Sequence, residues 1–217
     1  MSRIINAGFE AFHHHGYKLT QMSVIASIMD ASVGSIYNYV KGKKALFELC
    51  LLEAFTENFL NNSSELPFEG MEHQKMVEGY ISPSLERLSL EQKKYYRTNP
   101  LLNDVVATLF SYMSHYWKGI KLLDTTSDQW PSLYQLYYDF RSDVLSQLTQ
   151  YVKHGVETGV FRPVQNIRLS SRLILENIAY FAMHRRYDMF LSDMDEMSAL
   201  VVVQDAIVHA YQNTHVS

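Results

Sequence analysis

The sequence predicts an all-α protein. Apolar residues recur at three- and four-residue spacing along most of the 217 residues, which is the period of an amphipathic helix. No segment shows the sustained alternation of apolar and polar residues that is typical of a half-buried strand. Capping residues, glycines and prolines separate the periodic segments, where helices begin and end. We therefore expect three short helices, a connecting helix and a larger helical bundle.

The N-terminal segment predicts the first two helices. Apolar residues from Ile4 to Phe12 lie on one helical face, and Gly16 closes this segment as a helix C-cap would. Thr20 is an N-cap residue type and precedes a short helix expected over residues 22–28.

A tight turn and a third helix follow. Asp30 lies in the turn, where the backbone often needs a left-handed residue, a conformation that Asp tolerates better than most residue types. Ser32 is a good N-cap for a helix that extends through Asn38. Two short helices joined in this way form a helix-turn-helix. Apolar residues are available to pack them together: Ile25, Ala26, Ile28, Met29 and Ile36.

The rest of the chain predicts longer helices. A connecting helix is expected over residues 43–60, before the break at Asn61–Ser64. Three prolines, each preceded by a cap-type residue or by Trp, predict helix starts: Pro83, Pro100 and Pro131. The helix that starts at Pro131 is expected to end near Glu157. Two final helices are expected over 167–189 and 193–212, with Asn166 and Ser192 as N-caps.

Charge is distributed unevenly between two expected domains. Residues 1–47, the expected helix-turn-helix domain, carry five Lys and Arg side chains against two acidic ones, although the whole chain has a net charge of −4. Residues 48–217, the expected effector-binding and dimerisation domain, carry 14 basic and 21 acidic side chains. Because residues 1–47 are basic and residues 48–217 are acidic, we expect residues 1–47 to be the part that contacts a polyanion.

Several function classes lack their motifs. The single cysteine, Cys50, excludes an internal disulfide framework, and its apolar neighbours predict an inert thiol. Three adjacent histidines, His13–His15, point about 100° apart on a helix and do not face one metal ion together. No signal peptide, membrane-spanning run or catalytic motif is evident, so we expect a cytoplasmic protein that is not an enzyme, with no catalytic residues, metal site or cofactor.

The third helix has a surface suited to DNA. Its small residues allow the helix to enter a major groove, and Tyr37, Asn38 and Tyr39 offer hydroxyl and amide groups to phosphates or base edges. Lys43 begins the next helix, and a lysine at a helix N-terminus is a natural phosphate ligand.

The first 50 residues resemble the N-terminal domain of the TetR (tetracycline repressor-like) family. The matching positions, in register with the family pattern, are Phe9–Phe12, Gly16–Tyr17, Thr20, Ile25–Ala26, Ser32–Tyr37, Tyr39–Lys43 and Ala45–Phe47. The chain departs from that pattern in the turn and around the third helix: Asp30 replaces Gly, Ala31 replaces Val, Val33 replaces a common Lys, Val40 replaces Phe, and Lys44 stands where an acidic residue is frequent.

The resemblance implies a transcriptional regulator, usually a repressor, that binds a palindromic double-stranded DNA operator as a homodimer. The DNA-facing set that it implies is Thr20, Ser32, Val33, Gly34, Ser35, Tyr37, Asn38, Tyr39 and Lys43. The alternative is a helical protein-interaction module that keeps the helix-turn-helix without binding specific DNA. Salt dependence separates the two, because binding through several phosphates weakens steeply as salt rises.

The C-terminal body suggests an effector pocket and a dimer interface. Rings and one cation on two of the expected helices are candidates for lining a pocket that binds an unknown small-molecule effector: Tyr112, Tyr116, Trp117, Tyr134, Tyr138 and Arg141. Apolar stripes on the last two helices indicate a partner helix pair from a second subunit, with Leu173, Phe181, Leu200, Val203 and Ile207 as candidate interface residues. Effector binding is expected to release the operator by favouring a non-binding state.

Overall fold

The computed structural model describes residues 1–56, 59, 66–72, 74–125, 129–188, 190 and 193–213. These residues form nine α-helices and one 3₁₀ helix: α1 (Ser2–Leu19), α2 (Met22–Ile28), α3 (Val33–Ile36), α4 (Lys43–Phe55), α5 (Gln74–Tyr96), α6 (Leu102–Leu123), α7 (Pro131–Glu157), α8 (Ile167–Ala182), the 3₁₀ helix (His184–Tyr187) and α9 (Glu196–Tyr211). Two isolated β-bridges, Val40 with Phe68 and Phe161 with Gln212, are the β-structure within the described ranges. The prediction of an all-α protein is confirmed.

The chain divides into two compact units. Unit 1 comprises Met1–Arg87 and Lys118–Asp139, and unit 2 comprises Leu88–Trp117 and Phe140–Ser217. The expected division into a 1–47 domain and a 48–217 domain stays a prediction.

Unit 1 has an aromatic core. The Phe12 and Phe47 rings meet edge to face with centroids 5.0 Å apart, and the Trp130 ring stacks on Phe47 at 4.7 Å. A Cβ added at Gly119 would lie 2.3 Å from the Phe55 ring, so only glycine fits there. In unit 2, aliphatic side chains on α6 to α9 are buried, among them Val105, Leu109, Leu148, Ile174, Ile178 and Val203.

Several predicted helix signals are confirmed. Helix α2 occupies the expected residues, and Asp30 has a left-handed backbone with φ of 49°. Helix α7 begins at Pro131 and ends at Glu157. Asn166 caps α8, because its side chain accepts the Leu169 N–H at 3.0 Å.

Four predicted boundaries in unit 1 were wrong. Helix α3 ends at Ile36 rather than Asn38, because the Asn38 and Tyr39 N–H groups donate to carbonyls three residues back, as in a turn. Gln21 rather than Thr20 precedes α2, because the Thr20 hydroxyl donates backwards to carbonyls of α1. Helix α4 ends at Phe55 rather than at residue 60. The Ser84 hydroxyl donates a hydrogen bond to the Phe55 carbonyl, and the backbone of Thr56 is extended. Pro83 lies inside α5 rather than at its start. Although a proline disfavours the helix interior, apolar side chains on both sides of it are buried along one face of α5 and stabilise the helix there: Val77, Ile81, Leu85 and Leu88.

Three predicted boundaries in unit 2 were also wrong. Helix α6 begins at Leu102 rather than Pro100, after a left-handed Asn99. Helix α8 ends at Ala182 rather than at residue 189, because the Arg185 guanidinium takes the Phe181 carbonyl. Helix α9 begins at Glu196, with Asp195 as its N-cap. The predicted break at Asn61–Ser64 and the predicted cap Ser192 lie outside the described residues.

Candidate nucleic-acid interface

A small apolar contact holds α2 against α3. Ile25 and Ile36 have no exposed surface, and Ala26 is 4% exposed. Ile28, which was also expected to pack here, is 38% exposed. The contact is therefore narrower than predicted, and Ile36 is the residue through which α3 is fixed to the unit.

The turn between α2 and α3 is closed by backbone hydrogen bonds. The Ala31 N–H donates to the Ala26 carbonyl at 3.0 Å, and the Asp30 N–H donates to the Ser27 carbonyl at 3.1 Å. This pattern requires a left-handed residue, which Asp30 supplies where the family pattern has glycine. The Arg3 guanidinium donates to the Met29 carbonyl at 2.8 Å, a contact that the sequence pattern did not indicate.

The N-terminus of α3 is capped as predicted. The Ser32 Oγ accepts the Ser35 N–H at 3.1 Å, and the two hydroxyls share a hydrogen bond at 2.7 Å. Both side chains remain exposed. They therefore fix the start of the helix and still offer hydroxyl groups to a partner.

Most of the predicted DNA-facing set lies on one exposed surface. With Ile36 buried, the remaining residues around α3 are exposed or half-buried, and Tyr37 is 45% exposed. This surface comprises Ser32, Val33, Gly34, Ser35, Tyr37, Asn38 and Tyr39. It offers hydroxyl, amide and backbone groups beside Val33 and Gly34. Such groups are the ones that contact phosphates and base edges.

Gly34 leaves open space on this surface. A Cβ at position 34 would have one neighbour within 4 Å among the described residues, the Ser32 Oγ at 3.8 Å. Glycine inside a helix costs roughly 0.5–1 kcal/mol relative to alanine. Packing within the described chain does not require a glycine at position 34. The missing side chain instead leaves room for a binding partner to approach the backbone of α3 closely.

Thr20 has its hydrogen bonds inside unit 1. Its side chain is 1% exposed, and its hydroxyl lies 2.6 Å from the Gly16 carbonyl and 3.1 Å from the Ala11 carbonyl. These bonds satisfy carbonyls near the C-terminal end of α1. The structure thus places Thr20 beneath the exposed surface, where it supports the end of α1.

Lys43 also faces inward. Its ammonium group donates to the carbonyls of Tyr17, Lys18 and Thr20 at 2.9, 3.2 and 3.0 Å, and it lies 4.6 Å from the centroid of the Tyr17 ring. These three carbonyls follow Gly16, whose φ of 68° and ψ of 162° interrupt the helical backbone of α1. Burial, together with the Glu48 charge, raises the pKa of the Tyr17 hydroxyl.

Two other lysines remain at the rim of the exposed surface. Lys41 and Lys44 have side chains 54% and 50% exposed. Lys41 Nζ lies 3.9 Å from Glu69, and Lys44 Nζ lies 3.4 Å from Glu48. The sequence pattern placed the phosphate contact on Lys43, but these two cations are more accessible to solvent.

The predicted effector-binding residues fall in both units. Tyr134 and Tyr138 belong to unit 1, and the other four to unit 2. In unit 2 the Tyr112 hydroxyl donates to Glu91 at 3.1 Å, Tyr116 is buried, the Trp117 ring packs against Tyr187, and Arg141 lies 3.8 Å from Glu176.

A cavity of about 350 Å³ in unit 2 has a different lining. It lies between the turn before α6, the C-terminal part of α7 and the residue that follows α9. Tyr151, His154 and Thr158 supply polar groups, and Leu101, Val160 and Phe161 supply apolar surface. None of the six predicted effector residues lines this cavity.

The predicted dimer residues divide between exposed and buried positions. Leu173 is 57% exposed, Phe181 and Leu200 are half-buried, and Val203 and Ile207 are buried between the helices of unit 2. Further apolar side chains on the two helices are exposed: Leu169, Met197, Val201 and Val202. Among the described residues, no helix is long and apolar enough to cross a membrane.

Comparison with known proteins identifies the N-terminal segment. Residues 4–50 match the family model described as bacterial regulatory proteins, tetR family. No curated protein matches the sequence of the chain.

Solved structures of transcriptional regulators resemble the chain over almost its whole length. The ketosteroid transcriptional regulator KstR2 of Mycobacterium tuberculosis is 12% identical, with 98% of this chain and 96% of that chain covered and a TM-score of 0.58. SCO3833 of Streptomyces coelicolor, from the TetR transcriptional regulator family, is 18% identical, with 95% and 87% covered and a TM-score of 0.52. PfmR of Thermus thermophilus, also from that family, is 17% identical, with 95% and 97% covered and a TM-score of 0.51. At these identities the likeness shows the fold.

Proposed function

We propose that this chain, whose residues 4–50 are those of the TetR family of bacterial regulatory proteins, is a transcriptional repressor that binds a palindromic operator as a homodimer and is released by a small-molecule effector. The family and the fold are those of transcriptional regulators. The repressor role, the operator, the effector and the homodimer form the proposal.

The exposed surface of α3 carries the proposal for DNA. Its residues offer hydroxyl and amide side chains, and Gly34 has open space above it that the described chain does not fill. A recognition helix needs such close approach, because its N-terminal residues contact base edges in the major groove. The half-buried Tyr39 and the exposed Lys41 extend the surface toward the DNA backbone.

The exposed apolar side chains of α8 and α9 support the homodimer. Leu169, Leu173, Val201 and Val202 each expose about half or more of their surface. A symmetric pair of these helices would bury that surface in a four-helix interface. One recognition helix reads one half-site, so a palindromic operator requires two subunits.

Two regions are candidates for the effector site. One is the part of the predicted set that lies in unit 2, namely Tyr112, Tyr116, Trp117 and Arg141, and the other is the cavity of unit 2 lined by Tyr151 and Phe161. In either place the effector releases DNA only if it binds more tightly to the state that does not bind the operator. A screen that measures loss of operator binding identifies the effector, and Val160→Trp, which fills the cavity, tests whether the effector binds there.

The test of DNA binding is a titration of labelled DNA from immediately upstream of the gene, at several salt concentrations. Tyr37→Ala removes a ring that is 45% exposed beside α3, and Tyr80→Ala removes a ring of the same exposure on α5. We expect wild type and Tyr80→Ala to bind with steep salt dependence, and Tyr37→Ala to bind roughly 10- to 100-fold more weakly, since one or two base or phosphate contacts are worth about 1–3 kcal/mol each.

Two outcomes would contradict the proposal. Equal losses in both variants would show that the effect is not local to α3. If neither the upstream DNA nor a random-sequence selection gives specific binding, the helix-turn-helix serves another purpose, and the protein-interaction module becomes the better explanation.

A further inference from the structure

We infer that residues 66–72, here called the strap, support DNA binding because they position the end of α3. The buried carboxylate of Glu48 anchors the strap. The inference rests on the proposed function, because it concerns how the same surface binds DNA. It goes beyond the helix-turn-helix motif, because the strap lies outside residues 4–50.

The strap is joined to the backbone just after α3. The Phe68 N–H donates to the Tyr39 carbonyl at 2.7 Å, and the Lys41 N–H donates to the Phe68 carbonyl at 2.9 Å. These two bonds form the β-bridge between Val40 and Phe68. Two residues of the DNA-binding surface, Tyr39 and Lys41, are therefore held by a segment more than 25 positions further along the chain.

Glu48 anchors the strap from α4. Its side chain has no exposed surface, and its Oε2 accepts the Met71 N–H at 2.8 Å. Its Oε1 lies 3.4 Å from Lys44 Nζ and accepts no hydrogen bond from the described residues. Lys44 in turn donates to the Met71 carbonyl at 3.2 Å. A buried carboxylate is costly unless it has partners, and the Met71 N–H and the Lys44 ammonium are the partners that Glu48 has here.

Gly70 permits the close fit of the strap against α4. Its φ is +91°, and a Cβ at this position would lie 2.8 Å from Glu48 Oε2 and 3.3 Å from the Ala45 backbone. A side chain at position 70 therefore meets the Glu48 carboxylate, so that either the carboxylate or the strap must move and the contact between them is disturbed.

The length of α3 explains why a strap is needed. A helix of four residues is far shorter than the ~12–15 residues that give marginal stability to an isolated helix. The Ser32 cap fixes the first turn of α3 and the buried Ile36 fixes its last residue, whereas the strap bonds fix the backbone that follows it. Two of the departures from the family pattern, Val40 and Lys44, are positions where the strap is attached.

Gly70→Ala tests the inference, with Gly159→Ala as its control. Both glycines have a left-handed φ, +91° and +76°, but nothing lies within 4 Å of a Cβ at position 159. The two variants therefore carry similar backbone strain, and only Gly70→Ala disturbs the strap. Operator affinity, its salt dependence and amide hydrogen exchange at Phe68 and Lys41 are measured for both full-length variants.

We expect Gly70→Ala to exchange both amides faster and to bind the operator about tenfold more weakly, the size of one charge-assisted hydrogen bond. The slope of log affinity against log salt should become shallower by about 0.9 for each phosphate that the variant no longer binds. Gly159→Ala should match wild type in all three measurements. Combining Gly70→Ala with Lys41→Ala should cost less than the sum of the separate losses, because both act on the same contact.

Faster exchange with unchanged affinity in Gly70→Ala would overturn the inference and leave the proposed function intact. Failure of wild type to bind any DNA would overturn both. If Gly70→Ala does not fold, Glu48→Gln replaces it, since Gln keeps the volume and one acceptor but removes the charge. It should weaken operator binding in the same direction by a smaller factor, and an affinity equal to that of wild type would overturn the inference.

Discussion

Lys43, which follows α3 and the proposed DNA-binding surface, makes its hydrogen bonds within unit 1. Its ammonium group has three protons and three carbonyl acceptors at the end of α1, and the Tyr17 ring lies beneath it. A phosphate contact from this side chain would have to replace those bonds. We therefore expect Lys43 to contribute to stability more than to phosphate binding.

Lys43→Ala tests this assignment. Removing the ammonium removes its hydrogen bonds to three backbone carbonyls, and we expect the free energy of unfolding to fall by about 1.5–3 kcal/mol, the range for hydrogen bonds to charged groups. The salt dependence of operator binding should keep its slope. Denaturant unfolding and DNA titrations measure the two quantities.

Lys41→Ala is the matched control, because the Lys41 side chain is 54% exposed and lies 3.9 Å from Glu69, a longer and more exposed contact than the three hydrogen bonds of Lys43. This variant should unfold as wild type does and should show a shallower salt slope. The opposite pattern in the two variants would mean that Lys43 is the phosphate ligand.

The sequence could not distinguish these roles of Thr20, Lys41 and Lys43. All three are polar residues in or next to a motif that binds DNA, and the family pattern does not say which way a side chain faces. The direction of these side chains depends on tertiary contacts. Thr20 and Lys43 face inward because they donate hydrogen bonds to backbone carbonyls of α1. Asp30 and Ser32 were predictable because local backbone geometry alone determines their roles.

At the scale of helices, Asp143 joins α7 to α5 within unit 2. Its carboxylate accepts hydrogen bonds from the Ser89 hydroxyl and, at 2.8 Å, from the Gln147 amide, and it lies 3.2 Å from Lys93 Nζ. Burial raises the pKa of the Asp143 carboxyl, but the bonds from Ser89, Lys93 and Gln147 outweigh burial and hold the pKa below its ordinary value of 3.8.

A lowered pKa in the folded state gives a stability that depends on pH. The ionised carboxylate stabilises the fold above its unfolded-state pKa, and this contribution is lost as pH falls through the folded-state value. We expect Asp143→Asn to melt at a lower temperature than wild type at pH 7, with a difference that narrows below pH 3.8. Thermal unfolding by circular dichroism between pH 3 and 7 measures it.

Asp139→Asn provides the comparison, since Asp139 is an exposed carboxylate one turn earlier on α7 that accepts a bond from Gln135. Its melting temperature should stay close to that of wild type. A melting difference for Asp143→Asn that is constant across the pH range would show that the carboxylate charge does not stabilise this contact.

The predicted helices were most accurate where local chemistry decides their ends. Pro131 and Asn166 begin α7 and α8 as expected, since a proline and a side-chain cap act within one turn. The end of α4 was wrong because a distant group, the Ser84 hydroxyl, donates to its last carbonyl, and the end of α8 was wrong because the Arg185 side chain, which follows the helix, donates to the Phe181 carbonyl. The strap was missed for the same reason, since its bonds join residues far apart in sequence.

For the whole molecule, the proposed homodimer gives a further prediction. Leu173→Glu places a charge among exposed apolar side chains of α8 and α9, whereas Leu101→Glu does so at a leucine 68% exposed elsewhere. We expect Leu173→Glu to sediment as a monomer at concentrations where wild type and Leu101→Glu are dimers. Burying an unpaired carboxylate in an interface is costly, whereas exposing it to water is not.

The same variant should lose operator affinity, because each monomer contacts only one half-site. Sedimentation velocity and DNA titration on the same samples test both effects. A Leu173→Glu protein that remains dimeric would place the interface on another surface.

Gly34 has a consequence for how such a regulator changes its target. Substitutions at most DNA-contacting positions also alter folding, so selection acts on two properties at once. At position 34 the described chain meets a new side chain with a single atom at 3.8 Å, and alanine relieves the roughly 0.5–1 kcal/mol cost of a helical glycine. An alanine at position 34 therefore meets no clash within the described chain, so its effect on operator preference can be measured separately from its effect on folding.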